Sequence, residues 1–152
     1  MTKQIKCTVN GNLVEVFVDV RESLADMLRN KLYLTSIKKG CEVGECGACT
    51  VLIDGTSFDS CIFLAIWAEG KEIRTVEGLL GPNGELSTVQ QAFIDEAAIQ
   101  CGFCTPGIIM SATEIIESGT KPTRNELRRL LSGHLCRCTG YQNIINAVEK
   151  SL

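Results

Sequence analysis

The chain has 152 residues, a formal net charge of −3 and 45% hydrophobic residues, a composition that supports a packed core and excludes a mainly disordered chain. Neither half is basic enough to favour nucleic-acid binding. The longest apolar run, residues 62–68, is far shorter than the ~20 residues of a membrane helix, and the first residues contain no signal-peptide pattern. We therefore expect a cytoplasmic protein that binds neither membrane nor nucleic acid.

The first 35 residues predict a hairpin followed by a helix. Alternating apolar residues on both sides of Asn10–Gly11 are typical of two antiparallel strands joined by a two-residue turn. Ser23 followed by Asp26 resembles a helix-capping box, and apolar residues recur at helical spacing after it.

A glycine- and cysteine-rich segment, residues 38–49, separates this helix from a second predicted hairpin. Asp54–Gly55 marks the turn of that hairpin, which spans residues 50–62, and residues 73–76 predict a further short strand. Hairpin, helix, loop and hairpin in this order are typical of a β-grasp sheet with one helix packed across it.

The second half of the chain predicts helices. Four are expected, the first over residues 87–98, the second beginning at Thr105–Pro106 and the third after a capping box formed by Thr123 and Glu126. Cysteine-bearing loops join the helices within each of two pairs. The predicted fold class is therefore α+β, with a β-grasp domain at residues 1–77, a linker at 78–84 and a helical domain at 85–152.

Nine cysteines are the most informative feature of the composition. Their number is odd and no export signal accompanies them, so metal ligation is favoured over disulfides. The first four-cysteine set has the spacing of plant-type [2Fe–2S] sites, and interleaved glycines let backbone N–H groups approach the sulfurs. Four buried structural cysteines are the alternative. The members of this first set are Cys41, Cys46, Cys49 and Cys61.

The second set consists of a C-x2-C pair and a C-x-C pair, a less specific pattern. Each pair precedes a predicted helix N-terminus, whose free N–H groups and partial positive charge would stabilise an anionic cluster. From spacing alone, an iron–sulfur cluster, a structural zinc, and disulfides or free thiols all remain open. The members of this second set are Cys101, Cys104, Cys136 and Cys138.

Four motifs in order, GCEVGECGACTVLIDG, DSC, QCGFCTPG and LCRCTGY, resemble the small iron–sulfur subunits of the molybdenum hydroxylases, which include xanthine dehydrogenases and aldehyde oxidoreductases. The segment DSCIFLAIWAEGKEIRTVEG is most similar to bacterial xanthine dehydrogenase small subunits. The resemblance implies a plant-type ferredoxin β-grasp domain followed by a four-helix bundle, each holding one [2Fe–2S] cluster through its own cysteine set. It also matches Gln100 to a glutamine that hydrogen-bonds the pterin.

The same resemblance implies an electron-transfer subunit without catalytic residues of its own. Electrons would pass singly from molybdenum–pterin on a large partner subunit, through the second-set cluster and then the first-set cluster, to FAD on a medium partner subunit. Purines such as xanthine or hypoxanthine are the expected substrate class. Aldehydes, N-heterocycles, carbon monoxide and aromatic acyl-CoA thioesters remain alternatives. The chain contains no glycine-rich nucleotide motif of its own.

Two further functions could use the same eight cysteines: a zinc-stabilised interaction module and a free-standing ferredoxin, although the helical extension argues against the latter. Because His134 is the only histidine, a Rieske centre, which needs two, is excluded; a structural or surface role is favoured over a hydrogen bond near the second cluster. Arg137 either offsets cluster charge or is a solvated or interface residue. Cys7 is expected to be an unreactive strand residue.

Overall fold

The computed structural model describes residues 1–152 and has an α+β architecture, with strands in the first half and most helices in the second. The strands are β1 (Thr2–Val9), β2 (Asn12–Asp19), β3 (Thr50–Ile53), β4 (Thr56–Asp59) and β5 (Glu72–Arg74). The α-helices are α1 (Leu24–Asp26), α2 (Thr88–Asp95), α3 (Thr105–Glu117), α4 (Arg124–Leu130) and α5 (Gln142–Ser151). Short 3-10 turns lie at Ala65–Ala68 and Val76–Leu79. Every helix is too short or too polar to cross a bilayer.

One five-stranded mixed sheet has the strand order β2-β1-β5-β3-β4. Strands β1 and β2 form one antiparallel hairpin and β3 and β4 another, while β5 lies between them, parallel to β1 and antiparallel to β3. Both predicted turns are confirmed, because Asn10–Gly11 and Asp54–Gly55 have positive φ at both positions, as a type I′ turn requires. Strand β4 ends at Asp59, three residues before the predicted end.

The helix predicted after Ser23 forms with a different winding. Only Leu24–Asp26 is α-helical, and the chain continues as a π-helical turn over Met27–Lys31. Ser23 Oγ accepts a hydrogen bond from the Asp26 N–H at 3.1 Å, as the predicted cap requires. Apolar residues four apart fit either winding, so the sequence pattern did not distinguish them.

Two hydrophobic clusters lie in the two halves of the chain. The first packs the sheet against α1, and Cys7 is among its members with 1% exposure. Burial raises the pKa of this thiol, so Cys7 is the unreactive strand residue that the sequence predicts. The second cluster lies among α2–α5, and Val76 and Leu79 of the connecting segment pack against it.

The four predicted helices of the second half are present, with one boundary corrected. Ser87 and Thr123 each begin a capping box, with Gln90 and Glu126 as the reciprocal partners. The first of these helices, α2, ends at Asp95 and not at residue 98, because Ala97 adopts a positive φ of 49° that breaks the helical backbone.

Helix α3 packs against strands β3 and β4 and so joins the two halves. At the contact, a Cβ on Gly107 would lie 2.1 Å from the carbonyl oxygen of Gly47, so the backbones approach each other as only glycine allows. Arg74 of β5 forms a two-armed ion pair with Glu117 at the end of α3. These contacts bring the loop that carries the first cysteine set against the helical half.

Candidate metal centres

Three cysteines of the first set lie in the loop between α1 and β3, and the fourth, Cys61, follows β4. Cys46 lies close enough to Cys41 to affect the pKa of Cys41, and Cys61 lies close enough to Cys49 to affect the pKa of Cys49. The tertiary structure therefore groups this set into two thiol pairs, one within the loop and one between the loop and the end of the second hairpin.

The loop directs backbone donors at Cys41. The N–H groups of Val43 and Glu45 lie 3.5 and 3.3 Å from Cys41 Sγ and donate to it. These two hydrogen bonds are the main reason that the pKa of Cys41 falls to about 6. Gly44 adopts a φ of 77°, a conformation that turns the loop around the sulfur. A thiolate at this position is thus stabilised before any metal binds.

Cys49 is a different kind of thiol. Burial, with 2% of the residue exposed, raises its pKa to about 12, and the carboxylate of Asp59 lies 3.8 Å from its Sγ. Such a thiol stays protonated unless a cation replaces the proton, because an unpaired buried thiolate is costly. A metal would supply that compensating charge.

The second set comes together from two loops that are far apart in sequence. Cys138 lies close enough to Cys101 to affect the pKa of Cys101, and Cys136 has the same relation to Cys104. Each pair therefore takes one thiol from the loop between α2 and α3 and one from the loop between α4 and α5. Burial is the main cause that raises the pKa of Cys104 to about 12, whereas Cys101 and Cys138 are exposed. Helix α3 begins directly after Cys104, as predicted.

Cys136 has two polar neighbours from its own loop. Thr139 Oγ1 lies 3.1 Å from Cys136 Sγ, and the backbone N–H of Cys136 donates to Tyr141 Oη at 2.9 Å. Burial alone would raise the pKa of Cys136, but hydrogen bonds from Thr139, Cys138 and Cys104 together outweigh it and the pKa is lowered. Sequence reasoning missed Thr139 and Asp59; a hydroxyl three residues after a cysteine in a short loop was an available signal for the first.

His134 lies between the two halves and near the first loop. It is 6% exposed, its Nε2 is hydrogen-bonded to Ser111 Oγ at 2.7 Å, and its Nδ1 has no hydrogen-bond partner. A Cβ on Gly47 would lie 2.3 Å from that Nδ1, so the ring fills the space left by the missing side chain. This buried position agrees with the structural role that the sequence favours for His134.

The other two residues singled out from the sequence lie beside the second set. Gln100 is exposed next to Cys101. Arg137 is exposed and makes no salt bridge, which fits either of its two interpretations.

The arrangement of thiols distinguishes between kinds of metal centre. No three histidine, cysteine, aspartate or glutamate side chains are grouped so that they could hold one ion. The thiols approach one another in pairs, and a [2Fe–2S] cluster takes four thiolates as two on each iron, whereas tetrahedral zinc gathers four around one ion. The paired geometry therefore fits a two-iron cluster better than a zinc ion.

Comparison with known families agrees with this geometry. Residues 7–76 match a family model described as a 2Fe-2S iron-sulfur cluster binding domain. Residues 75–149 match a second model, described as a [2Fe-2S] binding domain. The chain thus contains two [2Fe–2S]-binding domains, one after the other.

Several characterised proteins are similar over nearly the whole chain. The xanthine dehydrogenase iron-sulfur-binding subunit of Escherichia coli O157:H7 is 54% identical over 149 residues, which are 97% of this chain and 92% of that protein. The nicotine 6-hydroxylase small subunit of Paenarthrobacter nicotinovorans is also 54% identical, over 95% of this chain and 87% of its own. A chain of quinoline 2-oxidoreductase from Pseudomonas putida 86 superposes with a TM-score of 0.94 at 46% identity, covering 97% of this chain and 91% of that one.

Proposed function

Because the chain belongs to the iron–sulfur subunits of the molybdenum hydroxylase family, we propose that it passes single electrons between two partner subunits. The donor is a molybdenum–pterin site on a large subunit and the acceptor is FAD on a medium subunit. One observation carries the proposal: two complete sets of four thiols lie in loops that touch each other, since the Leu135 N–H donates to the Cys46 carbonyl at 3.0 Å.

Each set of four cysteines holds one [2Fe–2S] cluster in this proposal. The first set (Cys41, Cys46, Cys49 and Cys61) holds one cluster, and the second set (Cys101, Cys104, Cys136 and Cys138) holds the other. When bound, such clusters supply one-electron redox chemistry. The chain fixes the thiols in pairs, buries Cys49 and Cys104, and directs backbone N–H groups at Cys41. It performs no substrate chemistry by itself.

The second set faces the molybdenum–pterin subunit. Exposure supports this orientation, since Cys101, Cys138 and Gln100 all lie at the surface, where a partner can reach them. Gln100 is proposed to hydrogen-bond the pterin, because its amide has no partner within the chain and can both donate and accept. The first set then lies on the path toward FAD.

The domain division follows the same proposal. A β-grasp ferredoxin domain spans residues 1–77, a linker spans 78–84, and a four-helix bundle spans 85–152. The two hydrophobic clusters support a boundary in this region, since the first ends at Ile73 and the second begins with contacts from Val76 and Leu79. We assign the chain to the cytoplasm, where free thiols persist and clusters assemble.

A purine, xanthine or hypoxanthine, is the proposed substrate class of the assembled enzyme. The 54% identity to a xanthine dehydrogenase subunit supports it. Relatives named for nicotine and caffeine oxidation, at 54% and 50% identity, keep N-heterocycles as the second candidate, because the substrate pocket lies on another chain.

Purification of the native complex tests the function. We expect two larger subunits to co-purify, about four irons and four acid-labile sulfides per copy of this chain, and reduction of both clusters by xanthine. A colourless chain containing zinc and no sulfide would establish the zinc module instead. A brown chain that purifies alone would establish a free ferredoxin. Reduction by nicotine but not by purines would overturn the substrate class only.

A further inference from the structure

The loop that carries Cys136 holds a hydroxyl group against its sulfur. Thr139 Oγ1 lies 3.1 Å from Cys136 Sγ and also accepts a hydrogen bond from the Tyr141 N–H at 3.1 Å. A cysteine that binds iron is a thiolate and has no proton to give. The direction of the contact then follows: Thr139 is the donor and the sulfur is the acceptor.

The position of that hydroxyl is set by the backbone. Tyr141 adopts a φ of 66°, and its ring folds back so that Oη accepts a hydrogen bond from the Cys136 N–H at 2.9 Å. This N–H is thereby engaged with an oxygen, and the Tyr141 N–H occupies an acceptor site of Thr139. The threonine proton remains free to point at the sulfur.

The first cysteine set has the opposite kind of neighbour. There the carboxylate of Asp59 lies 3.8 Å from Cys49 Sγ. A carboxylate opposes added negative charge on a neighbouring cluster, whereas a hydroxyl donor stabilises it. The two centres of one chain therefore differ in the side chains that contact their sulfurs.

We propose that Thr139 is a positioning residue that acts through Cys136. It raises the reduction potential of the [2Fe–2S] cluster held by the second cysteine set, called here the second cluster. The inference rests on the proposed function, in which Cys136 is a ligand. Reduction adds one electron to the cluster and makes its thiolate sulfurs stronger acceptors, so the hydrogen bond is stronger in the reduced state. No proton or other atom is transferred.

The test is a redox titration of the complex purified with its partner subunits. Electron paramagnetic resonance (EPR) monitors the reduction of each of the two clusters during the titration. In Thr139→Val, we expect the equilibrium constant for reducing the second cluster to fall about three- to tenfold, the effect of one charge-assisted hydrogen bond. The first cluster should keep its potential. Thr139→Ser retains the hydroxyl and should restore the wild-type value.

Thr113→Val is the matched control, because the Thr113 hydroxyl donates to the Ile109 carbonyl at 2.8 Å within α3 and makes no contact with a cysteine. Neither cluster should change its potential in this variant. An unchanged second potential in Thr139→Val, with full iron content, would overturn the inference. Absence of a second EPR signal from the wild-type complex would instead overturn the proposed function.

A measurement on the wild type covers the case in which Thr139→Val does not assemble. Hydroxyl protons exchange with D2O much faster than hydrogen-bonded amides, so brief exchange replaces the Thr139 proton before that of the hydrogen-bonded Cys136 N–H. Pulsed EPR of the reduced second cluster should then lose one coupled proton, and Thr139→Ser should behave in the same way. Retention of every coupled proton after brief exchange contradicts the inference.

Discussion

The backbone N–H of Leu135 donates to the carbonyl oxygen of Cys46 at 3.0 Å. Leu135, which precedes Cys136 of the second set, is thereby hydrogen-bonded to Cys46 of the first set. The loop that carries the first set consequently cannot shift without disturbing the loop that carries the second. Together with the packing of α3 against β3 and β4, this contact sets the relative position of the two proposed clusters.

Substitution of single cysteines should remove the clusters one at a time. We expect Cys41→Ser to abolish only the EPR signal of the first-set cluster and Cys101→Ser only that of the second-set cluster, because the sets share no ligand. Each variant should lose about half of the iron. Cys7→Ala is the control, since Cys7 lies in the core and outside both sets. Loss of both signals from either single substitution would argue against two independent sites.

Removal of the His134 ring should loosen the contact between the halves. His134→Ala creates a cavity and leaves the Ser111 hydroxyl without its partner, so we expect a loss of about 2–4 kcal/mol in the free energy of unfolding. Urea unfolding followed by circular dichroism measures it. Ser111→Ala is the companion variant, and a double-mutant cycle should give a coupling energy of about 1 kcal/mol. Strictly additive effects would rule out the hydrogen bond as a stabilising contact.

Gly107 should not tolerate a methyl group. In Gly107→Ala the new Cβ would lie 2.1 Å from the Gly47 carbonyl oxygen, so α3 must move away from the first loop. We expect destabilisation by about 3 kcal/mol or more and lower cluster occupancy, measured as iron per chain. Gly133→Ala is the matched control, because nothing lies within 4 Å of a Cβ there, and its effect should stay within about 0.5 kcal/mol.

The segment between the halves should be sensitive to acid through Glu77. Its carboxylate accepts hydrogen bonds from the Ser36 N–H at 3.1 Å and the Ser36 hydroxyl at 2.6 Å. Burial alone would raise the pKa of Glu77, but hydrogen bonds from Ser36 and Thr75 outweigh it and lower the pKa below 4.5. A lowered folded-state pKa stabilises the fold at higher pH, and this contribution is lost as the pH falls below 4.5.

Comparison of Glu77→Gln with the wild type measures that contribution. At pH 7 we expect the variant to unfold at lower urea concentration, with a loss of about 1–2 kcal/mol, because the amide is a weaker acceptor for Ser36 and Thr75. The difference should shrink as the pH is lowered below 4.5. A difference that stays constant with pH would show that the charge of Glu77 contributes nothing to stability.

Local chemistry made much of this protein predictable. The type I′ turn at Asn10–Gly11 depends on two adjacent residues and the capping box at Thr123 on two residues three positions apart, and both form as expected. The spacing of the first three cysteines likewise depends on one short loop. The sequence by itself therefore determined the hairpins, the number of helices after residue 85 and, for the first cysteine set, the type of cofactor.

Only the tertiary structure decided how distant residues meet. Cys101 is paired with Cys138, and the His134 ring packs against Gly47. In both cases, at least one entire helix separates the two residues along the chain. Such contacts depend on how α3 packs against β3 and on the backbone path of the loops, which spacing rules do not encode. The hydroxyl of Thr139 reaches Cys136 for the same reason: a left-handed backbone at Tyr141 closes the loop, and side-chain propensity alone would not favour that conformation.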